Sequence, residues 1–440
     1  MEITGQSASD IADSVRTLID RGQLRPGDLL PPVRTLARDL GVNRNTTVAA
    51  YRLLATSGLV VGQGRAGTRV ADLSPGPQDG YATDGVATAS ATAVDLASGN
   101  PLPALIPDVR PALTAAAGHM VLYGEPVVDE GLARWARDWF APDAPGAFEV
   151  SVTSGAVDAI ERLLAQSLMR DDAVGLEDPC FLASQQTVRL GGYRTVPIAV
   201  DERGMTPDGL RAALEAGVRA VVCTPRAQNP TGASIDAERA AELREVLADH
   251  PYVLVIEDDY YSLLSRVPFE SIVGPEHQRW ALVRSLSKFI GPDICVALVA
   301  SDRETAARLA LRLSPGTTWV SHLLQRIALA QLTDADARAL IERAAGVYAG
   351  NNEAFVRALA GHGVDVVAGD GISVWVPVKA PAAEVASRLT RHGWTVRPGD
   401  EFGLTEGGTA SRHIRVTVHE LSESQVEDFV ADLVMAGGYA

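Results

Sequence analysis

Ser285-Leu286-Ser287-Lys288-Phe289-Ile290-Gly291-Pro292 is the stretch on which the reading of this chain turns. Ala281 to Arg284 give it a short apolar lead-in, two hydroxyls flank the amine, and Gly291-Pro292 stop it from continuing as a helix. The pattern is a lysine presented at the end of a buried strand. Most lysines are solvated surface charges. An amine held in a drier, hydroxyl-lined pocket has a lowered pKa and condenses with aldehydes.

The segments upstream give that amine partners. Tyr252 to Ile256 is an apolar strand that runs into Glu257-Asp258-Asp259-Tyr260-Tyr261. Ligands of open α/β sheets sit beyond the carboxyl ends of strands, so an acid for a pyridinium nitrogen belongs there. Asp258 against that nitrogen would keep the ring protonated and electron-poor, and Tyr260 or Tyr261 could reach its phenolic oxygen. The bland alternative is a polar strand end. Ala220 to Cys223 is another strand, and in the loop after it Asn229-Pro230-Thr231-Gly232 offers Asn229 to the same oxygen or makes an ordinary turn. Val150 to Thr153 leads through Ser154-Gly155-Ala156 into a helical pattern at Ile160, Leu163, Leu164 and Leu168, leaving free backbone N–H groups for a phosphate or forming a plain tight corner.

Together, Tyr123-Gly124, Ser154-Gly155-Ala156, Glu177-Asp178-Pro179, Asn229 to Gly232, Asp258 to Tyr261, Ser285 to Lys288 and Arg415 make residues 95–440 resemble a fold-type-I pyridoxal-phosphate enzyme of the aminotransferase class I and II group. The resemblance implies pyridoxal 5'-phosphate carried as a Schiff base on Lys288, with Asp258 at its ring nitrogen. Tyr260, Tyr261 and Asn229 then lie near its phenolic oxygen, Phe181 against its ring, and Gly155, Ala156, Ser285 and Ser287 around its phosphate. Tyr123 joins the cofactor set, and Arg415 takes an α-carboxylate, for which a guanidinium fork is suited.

The bulk composition bounds the partners. With 440 residues, 46% hydrophobic and 21% charged, the chain can bury a large core. Its net charge of −16 argues against nonspecific binding of nucleic acid by the whole surface. Residues 1–71, however, hold nine arginines, no lysine and six acids, so a head of about +3 precedes a body of about −19. Three scattered cysteines predict a reducing cytoplasm, and no metal spacing or membrane-length apolar run stands out.

In that head, Ile11, Val15, Leu18 and Ile19 repeat at helical spacing. Val33, Leu36, Ala37 and Leu40 make a second helix, Gly41-Val42-Asn43 a turn, and Arg44-Asn45-Thr46-Thr47 opens a third. This is a helix-turn-helix whose last helix opens with the residues that meet base edges. Arg44 and Asn45 suit guanine and adenine, with Thr46 and Thr47 beside them, and Arg34 suits a phosphate. Gly62-Gln63-Gly64-Arg65-Ala66-Gly67 fits a dinucleotide fingerprint, but β-rich Thr68-Arg69-Val70 follows it instead of a helix. A β-hairpin wing with Arg65, Thr68 and Arg69 toward DNA is the better reading. Residues 1–71 resemble the winged helix-turn-helix of GntR-type bacterial regulators. Ser-, Pro- and Gly-rich residues 72–94 read as a flexible linker.

A DNA-reading head before an aminotransferase-like body resembles the MocR subfamily of those regulators. From residue 95 on, strand-like apolar runs alternate with helix-length connections, which indicates an α/β body with a mostly parallel sheet, and 364–367, 373–378 and 413–418 read as a smaller α+β subdomain, an architecture that the resemblance shares. The resemblance further implies a cytoplasmic, head-to-tail, domain-swapped homodimer on operator DNA that senses an amine, an amino acid or the cofactor, rather than a turnover enzyme. The alternative is a working aminotransferase with a DNA anchor. One departure stands out: relatives carry a phosphate-gripping arginine seven residues after the lysine, and here that residue is Cys295, with Arg226 or Arg412 as candidate substitutes.

Overall fold

The computed structural model describes residues 3–62, 67–71, 93–118, 120–313 and 319–439. The chain divides into two compact units, one within residues 1–76 and the other within 77–440. In the first, helices Ala8–Asp20, Val33–Leu40 and Arg44–Thr56 precede an antiparallel hairpin of Val60–Gly62 and Thr68–Val70. Each boundary has a local cause. Ser7 and Asp10 form a capping box at the first helix, Gly41 turns the chain at φ 64° after the second, and the Asn43 side chain accepts from Asn45 N–H at 2.8 Å to start the third. Ile11, Val15, Leu36, Ala50, Leu54, Val60 and Val70 bury a single small core.

The body is built on an eight-stranded sheet. Its strands lie in the order Glu149–Thr153, Ala297–Ser301, Trp280–Ser285, Leu254–Asp258, Val218–Cys223, Ala173–Asp178, Arg194–Asp201, Gly204–Met205. All the pairings from Trp280–Ser285 through Arg194–Asp201 are parallel, and Ala297–Ser301 runs antiparallel to both its neighbours. Successive residues alternate between two cores: Val255 and Leu282 belong to one, Ile256 and Val283 to the other. Helices therefore cover both faces, as continuous apolar strands require. The consequence for function is positional. The carboxyl ends of the strands finishing at Thr153, Ser285, Asp258, Cys223 and Asp178 all open on one side of the sheet.

The smaller subdomain packs the sheet Val374–Pro377, His413–Val416, Arg397–Pro398 against helices Ala335–Ala360, Ala382–Arg391 and Glu423–Gly437, around Phe355, Val385, Ile414 and Phe429. Two boundaries differ from the sequence reading. Residues 364–367 form no strand, although Val364 is buried and Val366 packs half-buried against the same core, while Val367 is 72% exposed; Arg397–Pro398 supplies the third strand instead. Val94, assigned to the linker, already pairs with Trp394 in a two-residue parallel bridge. Most of the linker reading, at 72–92, lies outside the described residues. Where the two halves of the body meet, Gly232 and Gly369 touch backbone to backbone. A Cβ on Gly369 would stand 2.6 Å from the Gly232 carbonyl oxygen, which accepts from Asp370 N–H at 2.9 Å.

Candidate functional site

In the head, Arg34, Arg44 and Asn45 are exposed and Thr46 is half-buried, so the start of the third helix offers the expected donors. Thr47 is a correction: it is fully buried, with no partner for its hydroxyl. It lies one turn before Ala50 and Tyr51 on the face turned to the core, so it cannot reach a base. Arg69 also differs, since its guanidinium donates to the Gly27 carbonyl at 2.8 Å and ties the hairpin to the loop before the second helix. Thr68 is half-buried, and Arg65 lies outside the described residues.

In the body, Lys288 stands in the one-turn helix Ser287–Ile290 directly beyond the strand Trp280–Ser285, and its Nζ donates to the Gly99 carbonyl at 2.8 Å. Asp258 ends the neighbouring strand. It is 4% exposed, its Oδ1 has no hydrogen-bond partner, and burial, helped by the adjacent Asp259 charge, pushes its carboxyl up to about 7. Asp259 has the opposite surroundings. Arg226 holds it at 2.7 and 3.1 Å and Arg284 at 2.9 Å, and Arg284 also lies over the rings of Trp139 and Phe140. Of two consecutive buried acids, only Asp259 is neutralised by protein cations. Asp258 is left uncompensated, the condition in which a buried acid suits a cationic partner.

Tyr260 lines one cavity with Lys288 and donates to the Ala227 carbonyl at 2.7 Å. The Asn229 side-chain oxygen accepts from Arg415 at 3.0 Å, and Arg415, 1% exposed, also donates to the Ala97 carbonyl at 2.8 Å and lies over the Phe402 ring. Gly155, at φ 95°, precedes the helix Ala156–Ser167, whose N-terminus no side chain caps. Ser285 is buried and accepts from Ser287 N–H at 3.3 Å. Phe181 is half-buried at the start of the helix Leu182–Gly191.

Some expected members are elsewhere. Tyr261 is 1% exposed in the main apolar core and is not a cavity residue, because the 3-10 turn Ser262–Leu264 swings it beneath the sheet end. Tyr123 is 91% exposed, edge-on to Trp319, and makes no contact with this cavity within its own chain. Cys295 is exposed at φ 46°. Neither suggested substitute is at hand, since Arg226 is committed to Asp259 and to the Val267 carbonyl, and exposed Arg412 to the Lys379 carbonyl.

Sequence reasoning missed other members. Asp370 and Ser373 line the cavity, and buried Glu177, its carboxyl pushed up to about 7 by desolvation, accepts from Thr224 N–H and Gln228 to join two of the strand-end loops. His419, with Tyr348 edge-on at 5.3 Å, is pushed down to about 4, chiefly by burial and also by the Lys288 charge. The cavity between Gly99, Tyr260, Lys288 and Arg415 measures only ≈ 20 Å³, little more than one water requires.

These residues fit pyridoxal phosphate. The orphaned Asp258 oxygen suits a pyridinium N–H, and the uncapped helix N-terminus with Ser285 suits a phosphate. Comparison with known proteins points the same way. Residues 91–433 match the aminotransferase class I and II family and residues 7–70 the bacterial regulatory proteins of the gntR family. The chain is 42% identical, over 99% of its own length and 99% of the other, to the vitamin B6 salvage pathway transcriptional repressor PtsJ of Salmonella typhimurium. It is 26% identical over 57% of its length and 55% of the other to the probable rhizopine catabolism regulatory protein MocR of Rhizobium meliloti. The α-aminoadipate aminotransferase LysN of Thermus thermophilus, solved with N-(5'-phosphopyridoxyl)-L-leucine, superimposes with a TM-score of 0.69 at 21% identity, covering 81% of this chain and 95% of that one.

Proposed function

Because the chain belongs to the aminotransferase class I and II family and carries a gntR-family head before it, the architecture of the MocR subfamily of transcription regulators, we propose that its body holds pyridoxal phosphate covalently on Lys288 and adjusts DNA binding by the head to what occupies that site. The observation that carries this reading is the pair of neighbouring strand ends. One presents Lys288, and the other presents an acid whose buried oxygen has no partner in the protein. Asp258 would hold the ring nitrogen, Tyr260 and Asn229 the phenolic oxygen, Phe181 the ring face, and Ser285, Ser287 and the Ala156 helix the phosphate. The cofactor supplies an electron-poor ring that withdraws density from an attached amine. Arg415 would orient a carboxylate on that amine.

Full-length similarity to a vitamin B6 repressor supports repression of vitamin B6 genes, with the cofactor itself among the signals. The apolar face of Met120, Leu122 and Tyr123, exposed by 84%, 66% and 91%, supports a homodimer in which Tyr123 reaches the partner's cofactor, and the gntR-family head supports a cytoplasmic location. A second reading, turnover as an aminotransferase, is favoured by Arg415, a buried guanidinium beside Asn229. Many turnovers with an amino donor and a keto acid would establish the second reading, and stoichiometric capture without turnover the first. The test of both is an absorbance scan of protein mixed with pyridoxal phosphate. A band near the visible edge, absent in Lys288→Ala, is expected, and a wild-type sample that stays colourless overturns cofactor binding.

A further inference from the structure

The proposed site uses Asp258 and Lys288 but leaves unexplained a charge buried between them, Arg284, which is 1% exposed. It precedes Lys288 by four residues on the strand Trp280–Ser285. Its guanidinium donates to Asp259 at 2.9 Å, to Asp143, and to the Trp139 carbonyl at 3.1 Å. It also lies 4.7, 5.0 and 5.3 Å from the ring centres of Trp139, Phe140 and Phe269. Asp259, 0% exposed, is held by Arg226 as well, so two arginines and two acids make one cluster without net charge. Stability is a weak reason for such a cluster, because apolar side chains of similar volume often serve as well or better.

Its place in the sheet suggests another reason. Side chains alternate across a strand, so Arg284 shares the face of Leu282, and Asp258 shares the opposite face with Ile256. Asp259 turns to Arg284, away from Asp258, yet the two acids are consecutive residues. Like charges that close oppose each other's ionisation. Among buried aromatic rings, with little water to screen them, that opposition is strong unless a cation cancels it.

We propose that Arg284 is a positioning residue for the cofactor ring: by cancelling the charge of Asp259 it leaves Asp258 to meet the ring nitrogen as a carboxylate. This deepens, and rests on, the role given above to Asp258. Asp143 holds the other side of the guanidinium, and the Trp139 carbonyl, in the last turn of the helix Glu130–Phe140, is a further favourable neighbour for a cation. With Arg284 in place the cluster is neutral and Asp258 carries the charge. Without it two acids face one arginine, and Asp258 keeps its proton to a higher pH.

Arg284→Met keeps much of the volume and removes the charge. The test follows, in the cofactor-free full-length protein, how the melting difference between Asp258→Asn and its parent varies with pH. In the wild-type background that difference should grow up to about pH 7. In the Arg284→Met background it should keep growing to a pH about one unit higher, and Arg284→Lys should bring it back toward the wild-type position. An arginine that only braces the fold would lower both melting curves alike. An unmoved pH position, or a lysine variant that behaves like the methionine one, overturns the proposal. The other charged groups around Asp258 are Glu257 on its own strand, Lys288 beyond the neighbouring one, and Asp158, Glu161 and Arg162 on the helix Ala156–Ser167 packed against it. They are the same in both members of each comparison.

If Arg284→Met does not fold, Asp259→Asn reads the same balance from the other side. It leaves the two arginines in surplus, so the difference should level off about one pH unit lower, and an unmoved position again overturns the proposal. A pyridoxal phosphate titration near neutral pH, followed by absorbance, separates this from the reading of the site itself. Wild type should colour, and Arg284→Met should need about tenfold more cofactor. A colourless wild type sinks the cofactor reading, whereas a coloured wild type matched in affinity by Arg284→Met sinks the role of Arg284.

Discussion

Replacing Asp258 by asparagine separates what this acid does for the cofactor from what it costs the empty protein. In the folded chain its carboxyl titrates at about 7 against an ordinary 3.8, because burial and then the Asp259 charge oppose ionisation. At 1.36 kcal/mol per pK unit, that gap is worth about 4 kcal/mol as an upper bound. Below pH 4 both the folded and unfolded forms are protonated and no penalty exists. Between pH 4 and 7 the unfolded chain ionises while the folded one resists, so the penalty grows with pH, and above pH 7 it is complete. Asparagine has nearly the same shape and never ionises. Cofactor-free Asp258→Asn should therefore match wild type near pH 4 and exceed it by about 2–4 kcal/mol at pH 8. At about 2 °C per kcal/mol, the body's thermal transition would rise by roughly 4–8 °C. Buried Glu177 and Glu257 titrate in the same range, but in both proteins, so they cancel in the difference. The same variant should bind pyridoxal phosphate about ten- to a hundredfold more weakly, having lost a charged partner for the ring nitrogen. The assay is a pair of melting series from pH 4 to 9 with a cofactor titration at pH 8. A melting difference that does not vary with pH, or an asparagine variant less stable than wild type at pH 8, would refute the reasoning.

Cys295→Arg should tighten cofactor binding about tenfold or more if that position faces the phosphate, and equal or weaker affinity in a titration would mean the anion is gripped elsewhere. Arg44→Ala should lower affinity for the operator by about 1–3 kcal/mol while leaving affinity for random DNA nearly unchanged; unaltered discrimination in a gel-shift series would count against the assigned helix. Thr47→Val should leave operator binding intact and hold or raise the melting point of the head, since it removes a buried hydroxyl without a partner. A loss of DNA affinity comparable to that of Arg44→Ala would contradict the burial of that side chain.

The main sheet was legible because strands covered on both faces are written as unbroken apolar runs, such as Leu254 to Ile256, and because each run stops where chemistry begins. The short strand at Arg397–Pro398 carries no such signal. Thr47 was misread for its type: a hydroxyl among exposed arginines suggests a DNA contact, yet helical spacing from Ala50, Tyr51 and Leu54 already placed it on the inner face. Tyr260 and Tyr261 could not be told apart until the turn at Ser262 was known. The pairing of Asp259 with Arg226, Arg284 and, through Arg284, Asp143 joins distant stretches of chain, and no local pattern records it. Carbonyl groups at Ala97 and Gly99 are still less visible, since a sequence specifies side chains and every residue has a carbonyl.

The meeting of Gly232 with Gly369 bears on how the halves of the body can move. With no side chains between them, the two loops come close enough for the Asp370 N–H to fasten on the Gly232 carbonyl, so the bare backbone works there as a latch between the halves. A methyl group at position 369 would act as a doorstop, wedging the entrance ajar and leaving ligands easier to admit and harder to keep.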